Sequence, residues 1–435
     1  MSYTAENDLR SYGELERVMY GGQNARSYFN RDIIKCTPFV QLPKEIIMDR
    51  TGTPDFGFSW SVVVNKDFGD YLTNMWVMVE LPEVTLKTTN VYGDSGTLRW
   101  TENIMHNLIK EVTLYFNDQC VSKLDNFTLD FLAEFQLNSE KYDAYMKNIG
   151  NIPSLTTPAK ELKANKLFLP LPMFFCKDTN NAIPLTALPH TEIKVVFKFR
   201  EWENLLILDN KSTVEIDPIS PTVGKDIAVE PKLKTTQLFG NFVSLCTEER
   251  LKLGVKKFNM IIEQYQTLPR QVVSVTEDNK ISLNLKHSIK AIYFAVRNST
   301  YKNLWSNYNY DHDNFVGDLF VKNKDKFIIE TASIKYNEHF RVPEVPVEYY
   351  SFINPWYHSK RIPVKGGMYT YSYALKQSVV DPCGSSALSR IDNPNLCIKL
   401  TENAKKCTDK FEMIVVASSN TIVKIAEGVL TFPFV

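Results

Sequence analysis

Few groupings in the sequence could do chemistry, and each lacks a partner that the chemistry requires. Gly93-Asp94-Ser95-Gly96 sets a serine between an acid and a glycine, a setting that suits an acyl-transfer nucleophile. In the arrangement this segment suggests, a general-base His and an orienting Asp precede the serine. The first histidine, His106, follows it, and Thr97 stands where a further glycine would belong. The segment therefore reads as an ordinary loop. Asp311-His312-Asp313 offers three metal-ligand types in a row, but adjacent side chains cannot all reach one ion unaided, and Asn307, Asn309 and Asn314 mark a solvated loop. The histidines at 106, 190, 287, 312, 339 and 358 form no HxH or HExxH pair. Glu248 and Glu249 are adjacent on a helix, hence about 100° apart, and cannot flank a substrate bond. Gly366-Gly367 is a turn signal and not a phosphate loop. No catalytic, cofactor-binding or metal-binding residue is assigned, no cofactor is expected, and the chain is read as a non-enzyme.

The seven cysteines (36, 120, 176, 246, 383, 397, 407) are odd in number and scattered, with no CxxC pair. They read as free, mostly buried thiols of a reducing compartment. The spacing of Cys383, Cys397 and Cys407 fits no zinc pattern. The opening segment MSYTAENDLRSYGELER is polar, with no apolar stretch of a secretory signal. The most apolar run, Leu167 to Cys176, is half the length of a membrane helix and holds two prolines. A soluble chain made in the cytosol is expected. Lys plus Arg equals Asp plus Glu at 50 each. That lacks the basic excess of a chain built to hold nucleic acid and suits self-association.

Strands must position whatever this chain presents. Ile193, Val195, Phe197 and Phe199 alternate with Lys194, Lys198 and Arg200, the period of a half-buried strand. Further strands are predicted over 56–65, 71–81, 108–116, 166–175, 235–245, 258–267, 289–297, 327–336, 367–375, 395–401, 410–417 and 421–434. They are short, and Asn, Asp, Gly and Pro clusters separate them, which predicts sandwiches. Two helices are expected. Asp125 caps one whose face carries Phe127, Phe131, Leu132 and Phe135; the other starts at Thr247 with an apolar stripe of Leu251, Val255 and Phe258. The second separates two strand-rich halves. Ile109–Asn117 aligns with Ile289–Arg297, and strand pairs 166–176 with 190–200 and 367–376 with 395–401 recur in order, which suggests duplication.

Eight segments in order carry a resemblance across nearly the whole chain. They are MYGGQNARSYF (19–29), RWTENIMHNLIKEVTLYFND (99–118), LPLPMFFCKDTNNAIPLTALPHTEIKVVFKF (169–199), WENLLILDN (202–210), TEERLKLG (247–254), IKAIYFAVRNST (289–300), FINPWYH (352–358) and TYSYALKQSVVDPCGSSALSRIDN (370–393). The chain resembles the major capsid proteins of nucleocytoplasmic large DNA viruses, most closely the iridovirus branch. The resemblance implies an all-β double jelly roll: two consecutive eight-stranded jelly rolls with a few short helices. It also implies homotrimeric, pseudo-hexagonal capsomers that tile an icosahedral shell. The expected division is an arm over 1–26, a first jelly roll over 27–246 with an exposed insertion at 203–234, a connecting helix over 247–257 and a second jelly roll over 258–435. The short 300–345 region implies a small outward tower.

The partners so implied are further copies of the chain, minor capsid and penton proteins, and an indirect link to an internal membrane, with no direct nucleic acid. The location is the virion capsid, assembled in host cytoplasm. Two other roles remain open at this level: a minor capsid or assembly-scaffold protein of the same fold, and a jelly-roll enzyme.

Overall fold

The computed structural model describes the chain except residues 1–2, 21, 24, 31–32, 34, 48–50, 211–217, 256, 277, 310–326, 408 and 434–435. Residues Met1–Pro38 form one compact unit and Phe39–Val435 another. The first holds helices α1 (Tyr3–Arg10) and α2 (Glu14–Met19), with Glu16 reaching back to accept from the Gly13 amide at 3.0 Å.

Sixteen principal strands build the second unit. The first eight are β1 (Phe39–Glu45), β2 (Ser59–Val63), β3 (Tyr71–Leu81), β4 (Ile109–Phe116), β5 (Gln119–Asp125), β6 (Asn165–Pro170), β7 (Ile193–Phe199) and β8 (Thr235–Leu245). They pair in the orders β1-β8-β3-β6 and β2-β7-β4-β5. The next eight are β9 (Phe258–Thr267), β10 (Asn279–Ser282), β11 (Ile289–Asn298), β12 (Ile329–Tyr336), β13 (His339–Pro346), β14 (Met368–Ser372), β15 (Pro394–Leu400) and β16 (Phe411–Ala426). Their orders are β9-β16-β11-β14 and β10-β15-β12-β13. Adding eight to each strand of the first set reproduces the second. Each set is a jelly roll, two antiparallel sheets whose inner faces share a core.

This topology revises the sequence alignment of the halves. Ile109–Asn117 lies on the fourth strand of its roll and Ile289–Arg297 on the third of its own, so that match is fortuitous. The true counterparts of the fourth strands meet at hairpins. Asn117-Asp118 joins β4 to β5 and Asn337-Glu338 joins β12 to β13, with φ of 45°, 63°, 45° and 68°. Two consecutive left-handed residues make the turn whose twist suits a tight hairpin. The paired strands 166–176 with 190–200, and 367–376 with 395–401, do fall on equivalent strands, the sixth and seventh of each roll.

Every residue of β11 is buried. Ile292, Phe294 and Val296 join the core of the second roll; Ala291, Tyr293 and Ala295 turn the other way, into a core continuous with the first roll. The β9-β16-β11-β14 sheet is thus a wall shared by both. A strand covered on both faces reads as an unbroken apolar run, which Ala291–Val296 (AIYFAV) is.

Two expectations fail on burial. Within the predicted exposed insertion, Leu206–Asn210 forms a strand on Gly96–Trp100, and Leu206, Ile207 and Leu208 are fully buried. That apolar run has to leave water. The connecting helix α7 (Thr247–Val255) exposes Leu251 (68%) and Val255 (85%) and buries Leu253 instead. An ion pair assists: Arg250 Nε lies 2.8 Å from Asp70 Oδ1, whose partner oxygen accepts from the Leu245 amide at 2.8 Å. Leu251→Ala should therefore shift the urea midpoint by no more than the equivalent of about 0.5 kcal/mol. Leu253→Ala should cost about 2 kcal/mol. Equal effects would restore the outward stripe to a packing role.

Candidate functional site

The region that joins the two rolls is built around helix α4 (Asn126–Phe135). Asp125 caps it, its Oδ1 accepting from the Thr128 amide at 2.7 Å. All ten of its residues are buried. Phe131 and Phe135 stack on Tyr293 of β11 at 6.0 and 5.7 Å between ring centres. A helix covered on every side must also satisfy its polar groups internally.

Asp130 and Glu134, one turn apart on α4, do so with groups from both halves of the chain. Asp130 Oδ1 lies 2.6 Å from His106 Nδ1 and accepts from Asn103 Nδ2 at 3.1 Å, while Oδ2 accepts from Ser306 Oγ at 2.8 Å and Tyr308 OH at 2.9 Å. His106 sits on α3 (Ile104–Leu108), and its Nε2 lies 2.7 Å from the Tyr145 hydroxyl on α5 (Ser139–Asn148). Glu134 accepts from Tyr142 OH and Arg361 Nη2, both at 2.6 Å, and from the Val364 amide at 3.0 Å. The Lys360 amide donates to the Phe135 carbonyl at the end of the helix. Beside this, Lys177 bridges Gln136 and Glu263 at 2.7 and 2.6 Å and also reaches Tyr265, and Lys365 meets Glu102 at 2.9 Å. Burial pushes the Asp130 pKa up, but hydrogen bonding and charge from His106, with Ser306 and Lys365 assisting, hold it below the ordinary carboxylate value.

A His–Asp pair invites a catalytic reading, but both side chains have no exposed surface. No substrate reaches them, so the pair serves as a joint. Ser95 ends a short turn, its Oγ donating to the Tyr92 carbonyl at 2.8 Å, with Asp94 fully exposed beside it. Asp311, His312 and Asp313 lie outside the described residues. Among the described residues no three His, Cys, Asp or Glu side chains converge as a metal site. All seven cysteines are free, but none is fully buried: Cys36 and Cys120 are exposed and the other five half-buried. Cys120, for one, is the second residue after the β4–β5 turn, on an edge strand of its sheet. No described helix is long and apolar enough to cross a membrane.

Comparison with known proteins decides the family. Residues 27–245 match the family described as major capsid protein N-terminus, and residues 249–431 match large eukaryotic DNA virus major capsid protein. The major capsid protein of Invertebrate iridescent virus 6 is 34% identical over 98% of this chain and 97% of its own length. That of Costelytra zealandica iridescent virus is 35% identical over the same shares. The chain belongs to this family of viral major capsid proteins. A solved structure, PBCV-1 VP54 fitted into a reconstruction of the virophage Sputnik, superposes with a TM-score of 0.75 over 94% of this chain and 100% of its own at 19% identity. That likeness shows the double jelly-roll fold.

As a capsid-family member the chain is a structural component of a virion shell, and what its geometry must supply is a rigid block. The residues that supply it, Asp130 and Glu134, went unmarked in the sequence. The signal was present: two acids four residues apart in NFTLDFLAEF, where Phe and Leu leave no solvated face for them.

Removing the Glu134 charge should leave Arg361 buried and unpaired, so Glu134→Gln is expected to lower stability by about 3–5 kcal/mol, read by urea unfolding. Because its pKa is depressed, Asp130 contributes stability that is present above the ordinary carboxylate value and lost as pH falls through its own lower one. Asp130→Asn should therefore be the less stable form at pH 7 and lose less on acidification towards about pH 3; melting curves steeper in acid than those of the parent would contradict this. Ser95→Ala should change neither melting temperature nor assembly.

Proposed function

We propose that three copies of this chain close into a pseudo-hexagonal capsomer, and that such capsomers tile an icosahedral shell. The observation that carries the reading is the identical strand order of the two rolls around one shared wall. Two similar sandwiches per chain, taken three times, give six similar blocks around an axis, so a three-fold oligomer acts as a six-coordinated tile. In this division residues 1–26 form an arm at the capsomer base, 27–246 the first jelly roll, 247–257 the connector and 258–435 the second.

Exposed apolar surface supports contact between copies. Phe352, Ile353, Trp356 and Tyr357 stand exposed along the helical run Tyr349–Ile353 and α8 (Asn354–His358). Leu375, 72% exposed, adjoins them, since the His358 ring lies 3.0 Å from its carbonyl. Monomers rarely keep contiguous apolar patches beyond a few hundred Å². We assign this patch to a second copy of the chain. Obligate contacts of this kind bury about 2,000–5,000 Å², with large aromatics as their anchors. Neighbouring capsomers, minor capsid and penton proteins, and an indirect link to an internal membrane complete the partner set, with assembly in host cytoplasm and no direct hold on nucleic acid.

Light scattering after size exclusion tests the oligomer. Three chains of 50.1 kDa give a mass of about 150 kDa, expected to survive dilution to nanomolar concentration. Trp356→Asp, a change at a 69% exposed side chain, should leave the fold intact and shift the mass towards one chain. Folded protein of about 50 kDa at micromolar concentration would overturn the capsomer reading.

A further inference from the structure

One cleft on the seam between the rolls is lined, among its described residues, by more cations than anions. It has a volume of about 540 Å³, and its lining includes Lys110 and Arg200 from the first roll with Arg270, Arg297, Lys302 and Lys410 from the second. Among the described residues of the lining, only Glu201 and Glu412 oppose these six cations. In a chain of zero formal net charge such an excess is local and built.

Its centre is an indole clasped by two guanidinium groups. The Arg200 guanidinium carbon lies 3.3 Å from the Trp305 ring centre and that of Arg297 lies 4.1 Å from it, while Arg270 stands at 6.0 Å. Trp305 is fixed by its Nε1, which donates to the Asn204 carbonyl at 2.9 Å. Arg200 spends its hydrogen bonds on neutral acceptors, the Asn107 carbonyl at 2.8 Å and Asn126 Oδ1 at 3.3 Å. Arg297 is 3% exposed, and its Nε has no partner. Glu412 is shared between Arg297 at 3.6 Å and Arg270 at 3.4 Å, both at the long end of ion pairing. Burial, then the charges of Arg297 and Arg270, bring the Arg200 pKa down to about 9, and burial brings Arg297 down to about 10. Ring faces relieve a buried cation by only about 2 kcal/mol, and an unpaired buried donor carries its full desolvation cost.

We propose that this cleft is an anion site that takes a small polyphosphate, held by the outer cations Arg270, Lys302 and Lys410 over the Arg200–Trp305–Arg297 stack. Guanidinium forks match phosphate oxygens in paired hydrogen bonds, and a single small anion would leave most of the six cations unanswered. Both indole faces are covered, so the site reads charge and cannot stack a base. An acidic peptide would want apolar pockets, and the lining offers only Phe199, itself packed on Trp60, besides the covered indole. A filled site would lock the seam between the rolls, whether or not capsomers close as proposed above.

The test is calorimetric titration of the purified full-length protein, in its native oligomer, with sodium tripolyphosphate in about 150 mM salt, where weak surface attraction is screened. Saturable binding at one site per chain is expected, with a rise in melting temperature. The double variant Arg270→Gln, Lys410→Gln changes only exposed side chains and should bind at least tenfold more weakly. Lys232→Gln, exposed and outside the cleft, should bind as the parent does. No saturable binding beyond that of sulfate at matched ionic strength, as when an acidic segment of a neighbouring copy fills the cleft, would overturn the proposal. Undiminished binding by the double variant would overturn it equally.

Discussion

The constraint on which the rest depends is that helix Asn126–Phe135 has no solvated face. A ten-residue helix in water exposes one side and places its acids there; this one is covered all round and still carries Asp130 and Glu134. Each buried carboxylate needs partners, and the first roll supplies only some of them. Ser306, Tyr308, Arg361 and the Val364 amide come from the other half of the chain. The first roll therefore reaches a satisfied state only with the second in place, and the penalty for leaving either acid unpaired makes a half-docked state costly.

The apolar part of the seam works in the same direction. One face of the β9-β16-β11-β14 sheet closes the second core and the other closes against α4 and the first core. Dispersion and burial give that contact its strength without direction. The hydrogen-bonded acids, with Lys177 spanning Gln136 and Glu263, give it one register. For a shell component this matters more than catalysis would. A hinge between the two sandwiches would blur every contact that a shell component makes with its neighbours.

Much of the fold was legible because a strand with one wet face prints its period on the sequence. β3, β7, β8 and β9 fall where alternation places them, and the Asp125 cap with its Phe stripe marks α4. Where period was misleading, burial on both sides or on neither was the cause. β11 lacks alternation because both faces are covered, so its likeness to β4 reflects shared hydrophobicity and not shared descent. The Leu251–Val255 stripe looks amphipathic but faces water; the helix is held by buried Leu253 and the Arg250–Asp70 ion pair, the latter a contact that no local pattern encodes. Of the seam itself, only the Phe residues could be read. The second-roll partners of Asp130 and Glu134 lie more than 170 positions downstream, and one sequence holds no record of which distant residue meets which acid.

Joined through α4, the two jelly rolls open as one cooperative body. Native-state hydrogen exchange on the full chain, comparing amides of β7 in the first roll with those of β15 in the second, tests it most directly. Equal opening free energies are expected in the two strands, with an equal fall in both when Phe131 is replaced by alanine. Protection lost in β15 while β7 keeps its own would contradict it.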